Sequence, residues 1–204
     1  MTNDSEAKRL EGLWSGGFGN AYVDRNRGAG APREDFWRSI IAATKPRRVL
    51  EVGCNVGGNL RWIAGPVPAT SVFGIDINPK ALDEARSAIP GLATACCPAR
   101  DLPFRDRWFD LAFTMGVLIH QPNATLPLVM GEIVRCSARW VLCGEYHSDH
   151  EVEVPYRGET GALFKRDYGR LYCELFPELT LRDSGFLGKD KGWDDVTWCL
   201  FERT

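Results

Sequence analysis

The 204-residue sequence has no Cys-x-x-Cys pair among its seven cysteines and holds only three histidines. An odd, irregularly spaced cysteine set gives neither a disulfide framework nor a zinc site and reads as reduced core thiols. His147, Asp149 and His150 stand close together, but no well-spaced ligand elsewhere in the sequence accompanies them, so no metal is expected. A surplus of one charge is also missing: 25 Lys and Arg against 27 Asp and Glu leave a formal net charge of −2. Such a chain exerts no long-range pull on a phosphate backbone or an anionic surface, so neither nucleic acid nor a membrane is expected as a partner. No apolar run approaches the ~20 residues that cross a bilayer, and residues 1–11 are polar and charged, so the expected location is cytoplasmic. Internal repeats and low-complexity segments are absent as well, and nothing in the pattern fixes an oligomeric state.

What is present is enough apolar material, 44% of residues, for one substantial core, and a single domain over 1–204 is expected. Short β-prone apolar runs recur at 48–52, 71–77, 92–96, 109–115 and 140–144, with helical stretches at 59–64, 79–88 and 126–136 between them. Near-continuous apolar strands separated by helices predict an α/β fold: a Rossmann-like, doubly wound, mostly parallel sheet covered on both faces. The last third changes character. Strands at 179–186 and 196–202, joined by a charged loop, predict an antiparallel C-terminal hairpin within a region 171–204 at the sheet edge. Helices at 6–21 and 34–44, separated by the glycine-containing segment 26–32, predict an N-terminal cap over 1–45 on a cofactor-binding core over 46–146. The polar stretch after the fifth strand, within 147–170, is placed to act as a lid or substrate loop.

Chemistry concentrates in Val49-Leu50-Glu51-Val52-Gly53-Cys54-Asn55-Val56-Gly57-Gly58-Asn59-Leu60, a strand that runs into a glycine-rich turn and a helix. Gly53 and Gly57 allow a tight turn and the approach of a ligand where a Cβ would collide. The next strand ends at Asp76 and Ile77, about 20 residues beyond the glycines, where a carboxylate can accept both ribose hydroxyls of an adenosine cofactor. Asp76 or Asn78 also suits the N-cap of the helix that starts at Pro79, and the two roles are compatible. A pyrophosphate site would need Gly-x-Gly-x-x-Gly, and here the middle position is Asn55.

The pattern Glu51-x-Gly53-x-x-x-Gly57 resembles motif I of class I S-adenosylmethionine-dependent methyltransferases. That resemblance implies a seven-strand sheet and S-adenosyl-L-methionine as cofactor. It implies that Glu51, Gly53, Cys54, Asn55 and Gly57 surround the methionine part and that Asp76 and Ile77 hold the ribose. Ala99 and Arg100 would lie beside the adenine through their backbone, since Pro98 stands where many members carry an acid. Gly116 and the following 117–120 resemble the segment that lines the methyl-transfer site. A narrower likeness runs through Trp14, Phe18, Gly19, Tyr22, Arg25, Asn26, Glu145-Tyr146, 154–158, 163–167 and Asp195-x-Thr197-Trp198. Together these resemble the methylases associated with pseudaminic acid biosynthesis, which implies a sugar or amino-sugar acceptor in a bacterial biosynthetic pathway.

The expected acceptor is thus a polar small molecule methylated on oxygen or nitrogen. Tyr22, Arg25, Tyr156, Arg157, Lys165 and Arg166 are the candidate substrate residues, because a basic cluster beside aromatics suits an anionic group. The same cations can equally form a solvated loop paired with Glu151, Glu153, Glu159 and Asp167. Glu145, His120 and Tyr146 are the candidate catalytic groups, in that order, for an acceptor that must lose a proton. His120 also reads as a satisfied structural histidine. A nicotinamide oxidoreductase shares the early strand-helix-strand pattern, but the chain lacks both the phosphate-cradling glycines and a Tyr-x-x-x-Lys pair. A non-catalytic adenosylmethionine-binding module and a methyltransferase of RNA or protein remain alternatives; the balanced charge counts against the latter.

Overall fold

The computed structural model describes residues 3–27 and 33–204; positions 28–32 of the expected glycine-containing connection lie outside the described residues. The strands are β1 (Val49–Val52), β2 (Val72–Asp76), β3 (Ala93–Cys96), β4 (Phe109–Met115), β5 (Ser137–Glu145), β6 (Val152–Glu153), β7 (Phe164–Lys165), β8 (Leu179–Leu187) and β9 (Val196–Arg203). Seven of them form one sheet in the order β3-β2-β1-β4-β5-β9-β8, and β6 with β7 forms a separate ribbon. Pairing is parallel from β3 through to β5. β9 then lies antiparallel to both β5 and β8, which gives the expected hairpin at the edge.

The helices are α1 (Asn3–Ser15), α2 (Gly17–Asn26), α3 (Glu34–Thr44), α4 (Leu60–Ile63), α5 (Pro79–Ala88), α6 (Leu126–Cys136) and α7 (Tyr168–Leu175). Both sheet faces are covered, which is why the parallel strands read as continuous apolar runs rather than alternating ones. One face packs Leu50, Val52, Ile75 and Phe109 with Met130 and Ile133 of α6. The other packs Val49, Val72 and Phe113 with Trp37 of α3, Leu60 and Ile63 of α4, and Leu82 of α5. Cys54, Cys136, Cys143 and Cys199 are buried as expected of core thiols, whereas Cys96 and Cys173 are exposed. Among the described residues, no helix is long and apolar enough to cross a membrane.

Three local features differ from the sequence pattern. The helix expected over 6–21 is two helices, broken at Gly16, whose backbone is extended (φ −96, ψ −153). Gly16 and Gly17 side by side weaken helix continuation by about 1 kcal/mol each. The break also lets Gly19 sit directly on the end of α1, where an added Cβ would lie 1.7 Å from the Trp14 carbonyl oxygen. Second, the fifth strand runs from Ser137, longer than the expected 140–144. Third, α7 lies where the chain reads as loop and hairpin. Asp167 caps it by accepting from the Arg170 N–H at 2.8 Å, and Tyr168 and Tyr172 are buried beneath it.

The α1–α2 cap is fastened to the core through Asn78. Its side-chain N–H2 donates to the Trp14 carbonyl and to Asn20 Oδ1, both at 3.0 Å, while its Oδ1 accepts from Ala81 N at the start of α5. Gly19→Ala is therefore expected to push α2 off α1 and lower stability by roughly 1–3 kcal/mol, an overpacking cost. Thermal unfolding reads this directly, and an unchanged midpoint would show that the close approach is unnecessary.

Candidate functional site

Strand order reverses between β1 and β4, and in open α/β sheets that point opens a crevice beyond the carboxyl ends of the strands. A cavity of about 240 Å³ lies there, closed over by residues of α1 and α2. Of the expected cofactor residues, Glu51, Gly53, Cys54, Asn55, Asp76, Ile77, Ala99, Arg100 and Gly116 line it. Gly57 does not. An added Cβ there would meet Ile89 and Ala85 at 3.0 and 3.4 Å, so this glycine (φ +74) seats the loop on α5 instead of facing the cavity.

The loop after β1 is held open by backbone conformation and by Asp76. Gly53 has φ +75 and Asn55 φ +47, and asparagine is among the few residues other than glycine that occupy this left-handed region readily. Asp76 Oδ2 accepts from the Asn55 N–H and Oδ1 from the Asn78 N–H, each at 2.9 Å. One carboxylate thus fixes the β1 loop and the β2 exit together, with further lone pairs turned to the cavity it lines. Burial raises the Asp76 pKa, opposed by the amides of Asn78, Asn55 and Ile77.

At one end of the cavity Glu51 stands with Asn59, Arg33 and Trp193, three residues that the sequence pattern did not single out as site residues. Glu51 is 1% exposed; its Oε1 accepts from Asn59 Nδ2 at 2.6 Å, and its Oε2 is buried without a partner among the described residues. Asn59 Oδ1 accepts from Arg33 Nη1 at 2.9 Å, and the Arg33 guanidinium lies 4.3 Å over the Trp193 ring while its Nε is buried and unpaired. A carboxyl oxygen without a partner and a cationic N–H donor without one, side by side, match the ammonium and carboxylate of an amino-acid zwitterion. Burial pushes the Glu51 pKa up to about 8, against the opposing pull of Asn59 and Arg33. Asn59 is visible in the motif as a residue just after the glycines; Arg33 and Trp193 carry no local signal, since only the fold brings them together.

The other end is aromatic. The Trp14 ring lies 4.4 Å from His120, 5.4 Å from Tyr22 and 6.4 Å from Tyr156 between centroids, and Tyr146 lines the same space. His120 Nδ1 is 2.6 Å from the Ala162 carbonyl oxygen. A carbonyl only accepts, so Nδ1 carries the proton and Nε2 keeps a lone pair. Burial pulls the His120 pKa down to about 4, so the ring is neutral. His120 is thus held by a backbone carbonyl, as the structural reading expects, and it also lines the cavity.

Several candidate residues are not brought to the cavity. Glu145 is 1% exposed and does not line it. Its carboxylate oxygens accept from the Val117 and Ile119 N–H groups at 3.3 and 3.2 Å, so in this structure it braces the turn that follows β4. Arg166, 4% exposed, is consumed by Glu151, the Gln121 carbonyl and Asn123. Lys165 lies 6.0 Å from the Tyr146 ring, and Arg25 and Arg157 are exposed beside Tyr22 and Tyr156. None of these four cations lines the cavity; Tyr22 and Tyr156 do. The Arg100 guanidinium pairs with Glu11 at 2.6 Å and so ties α1 to the loop after β3.

Glu145→Gln tests the brace. An amide would set its N–H2 against one of the two backbone donors, which is expected to lower stability by about 1–3 kcal/mol and to change turnover less than tenfold. A loss of 10²–10⁴ in rate with unchanged stability would restore the base.

Residues 49–139 match the family described as a methyltransferase domain. The chain is 32% identical over 143 residues to 24-methylenesterol C-methyltransferase 2 of Oryza sativa subsp. japonica, a match covering 63% of this chain and 39% of that protein. It is 33% identical over 88 residues to trans-aconitate 2-methyltransferase of Methylobacterium radiotolerans, covering 42% of this chain and 34% of that one. The chain thus spans well under half the length of these curated relatives. The fold matches 1,6-didemethyltoxoflavin-N1-methyltransferase of Burkholderia thailandensis, crystallised with 1,6-didemethyltoxoflavin and S-adenosylhomocysteine, at a TM-score of 0.74 and 16% identity over 100% of this chain and 91% of that one.

Proposed function

From a chain whose residues 49–139 match a methyltransferase domain and whose sheet has the class I methyltransferase fold, we propose that the protein is an S-adenosylmethionine-dependent methyltransferase acting on an oxygen or nitrogen of a polar small molecule. The observation that carries this reading is one cavity with an acid for ribose, Asp76, and an unpaired Glu51 and Arg33 pair for the amino-acid end of the cofactor. Ile77 and the segment from Cys97 to Arg100 line the stretch available to the ribose and adenine. A sugar or amino-sugar derivative is the acceptor we favour. The sequence likeness to the pseudaminic acid methylases supports it, as do the ring faces of Trp14, Tyr22 and Tyr156, which suit the C–H-rich face of a sugar ring.

When bound, the cofactor's sulfonium supplies an electrophilic methyl group and leaves as a neutral thioether, so no acid is required for the leaving group. The protein's work is to hold the acceptor atom in line, which is worth up to about 7–11 kcal/mol in well-oriented systems. Gly116, with φ +70, turns the chain sharply after β4 so that backbone, not side chain, borders the transfer point. His120 Nε2 accepts a hydrogen bond from an acceptor O–H or N–H and orients it; with its pKa near 4 it is a weak base. Tyr146, its phenol held protonated by burial, offers a neutral hydroxyl on the same wall.

Calorimetry against S-adenosylmethionine, S-adenosylhomocysteine and NADH tests the reading. Binding of the first two and not of NADH is expected, followed by release of S-adenosylhomocysteine over a panel of sugars, amino sugars and nucleotide sugars. Binding of NADH alone would replace the methyltransferase with an oxidoreductase, and tight cofactor binding without turnover on any acceptor would reduce it to a binding module.

A further inference from the structure

Resting on that reading, the aromatic end of the cavity also shows which charge it admits. Among the described residues that line the cavity there is no lysine, and both arginines are held: Arg33 against Trp193 and Asn59, Arg100 against Glu11. The opposite sign is available. Asp194 lines the cavity and has no hydrogen-bond or ion-pair partner among the described residues. Its charge acts on Tyr22 and Tyr146 and also on Arg33, the cation assigned to the cofactor's carboxylate. Burial first, and Tyr156 and Asp194 after it, push the Tyr22 pKa up to about 12 against the opposing pull of Arg33, so that phenol stays neutral.

The walls facing an acceptor are therefore electron-rich ring faces, neutral hydroxyls, a neutral imidazole and one unpaired carboxylate. Ring faces attract cations through their quadrupole, and a carboxylate beside them supplies the counter-charge. With Arg33 taken up by the cofactor's carboxylate and Arg100 by Glu11, an anionic acceptor would meet repulsion from Asp194 with no free cation to offset it. The buried Trp14 Nε1–H, without a partner among the described residues, leaves one donor for a hydroxyl oxygen on the same ligand.

We propose that this subsite recognises its acceptor through an amino group, bound against Trp14, Tyr22 and Tyr156 with Asp194 as counter-ion, and that it rejects acceptors carrying a carboxylate at that place. The substrate class is then an amine-bearing polar ring, as in an amino sugar, rather than an acidic sugar.

The test uses the full chain saturated with S-adenosylhomocysteine and titrated with glucosamine, glucose and glucuronate, three probes that share a hexose ring and differ in charge. Glucosamine is expected to bind at least tenfold tighter than the other two. Asp194→Asn is expected to remove that preference while leaving S-adenosylhomocysteine affinity within twofold. Equal affinities, tighter glucuronate binding, no detectable glucosamine binding, or a preference that survives Asp194→Asn would each overturn the assignment. Failure of S-adenosylhomocysteine to bind in the first place would instead sink the methyltransferase reading, so the two failures are distinct.

Discussion

Asp76→Ala is expected to weaken S-adenosylmethionine binding by about 10²–10⁴-fold, measured by calorimetry on protein shown to be folded by circular dichroism. The magnitude follows from two charge-assisted hydrogen bonds to ribose hydroxyls at roughly 1.5–3 kcal/mol each, with about 1.4 kcal/mol per decade of affinity. The structure adds a second route to the same loss. The Asp76 oxygens hold the amides of Asn55 and Asn78, so alanine also releases the loop that borders the cofactor. Asp76→Asn separates the routes, because the amide oxygen can still accept one backbone N–H while the charge is gone. A folded alanine variant with near-normal affinity would remove Asp76 from the ribose site.

The parts of the fold that were legible in the sequence are those where one local pattern decides the outcome. β1, β2 and β4 are apolar runs ended by glycine or an acid, and α5 announces itself through Asn78 as N-cap and Pro79 at its first turn. The cavity wall proposed for the cofactor was legible for the same reason, since Glu51, Gly53, Asn55 and Asp76 lie on two consecutive strand exits. α7 was hidden because it has only eight residues and alternates Tyr168, Leu171, Tyr172 and Leu175 with charged positions; its one clear signal was Asp167 as cap. Glu145 and Arg166 lie away from the cavity for a common reason. Each is a charged residue near the strand ends that is taken up within the protein, Glu145 by backbone amides and Arg166 by Glu151, Asn123 and the Gln121 carbonyl, and no sequence spacing distinguishes a buried charge that braces from one that faces a ligand. Arg33 and Trp193 stand 160 positions apart, and only the closure of the sheet edge over α3 places them together.

The pH dependence of cofactor binding follows from Glu51. In the free protein burial holds its pKa at about 8, so at pH 6 to 7 most molecules carry this carboxyl protonated. An ammonium placed at Oε2 favours the ionised form, which lowers the pKa in the complex. Binding below pH 8 must then expel a proton, and by linkage affinity rises with pH: roughly tenfold per unit between about pH 6 and 8, flattening once Glu51 is ionised beforehand. Calorimetry in buffers of different ionisation enthalpy is expected to report close to one proton released per cofactor at pH 7. Glu51→Gln should bind with no such slope and, having lost a charged hydrogen bond worth about 1.5–3 kcal/mol, roughly 10–100-fold more weakly above pH 8. Asn59 still supports the glutamine oxygen at that position, so the fold should persist. A flat affinity from pH 6 to 8 with no proton released, or a glutamine variant that binds like wild type, would place the cofactor's amino group elsewhere and leave Glu51 as a buried partner of Asn59 alone.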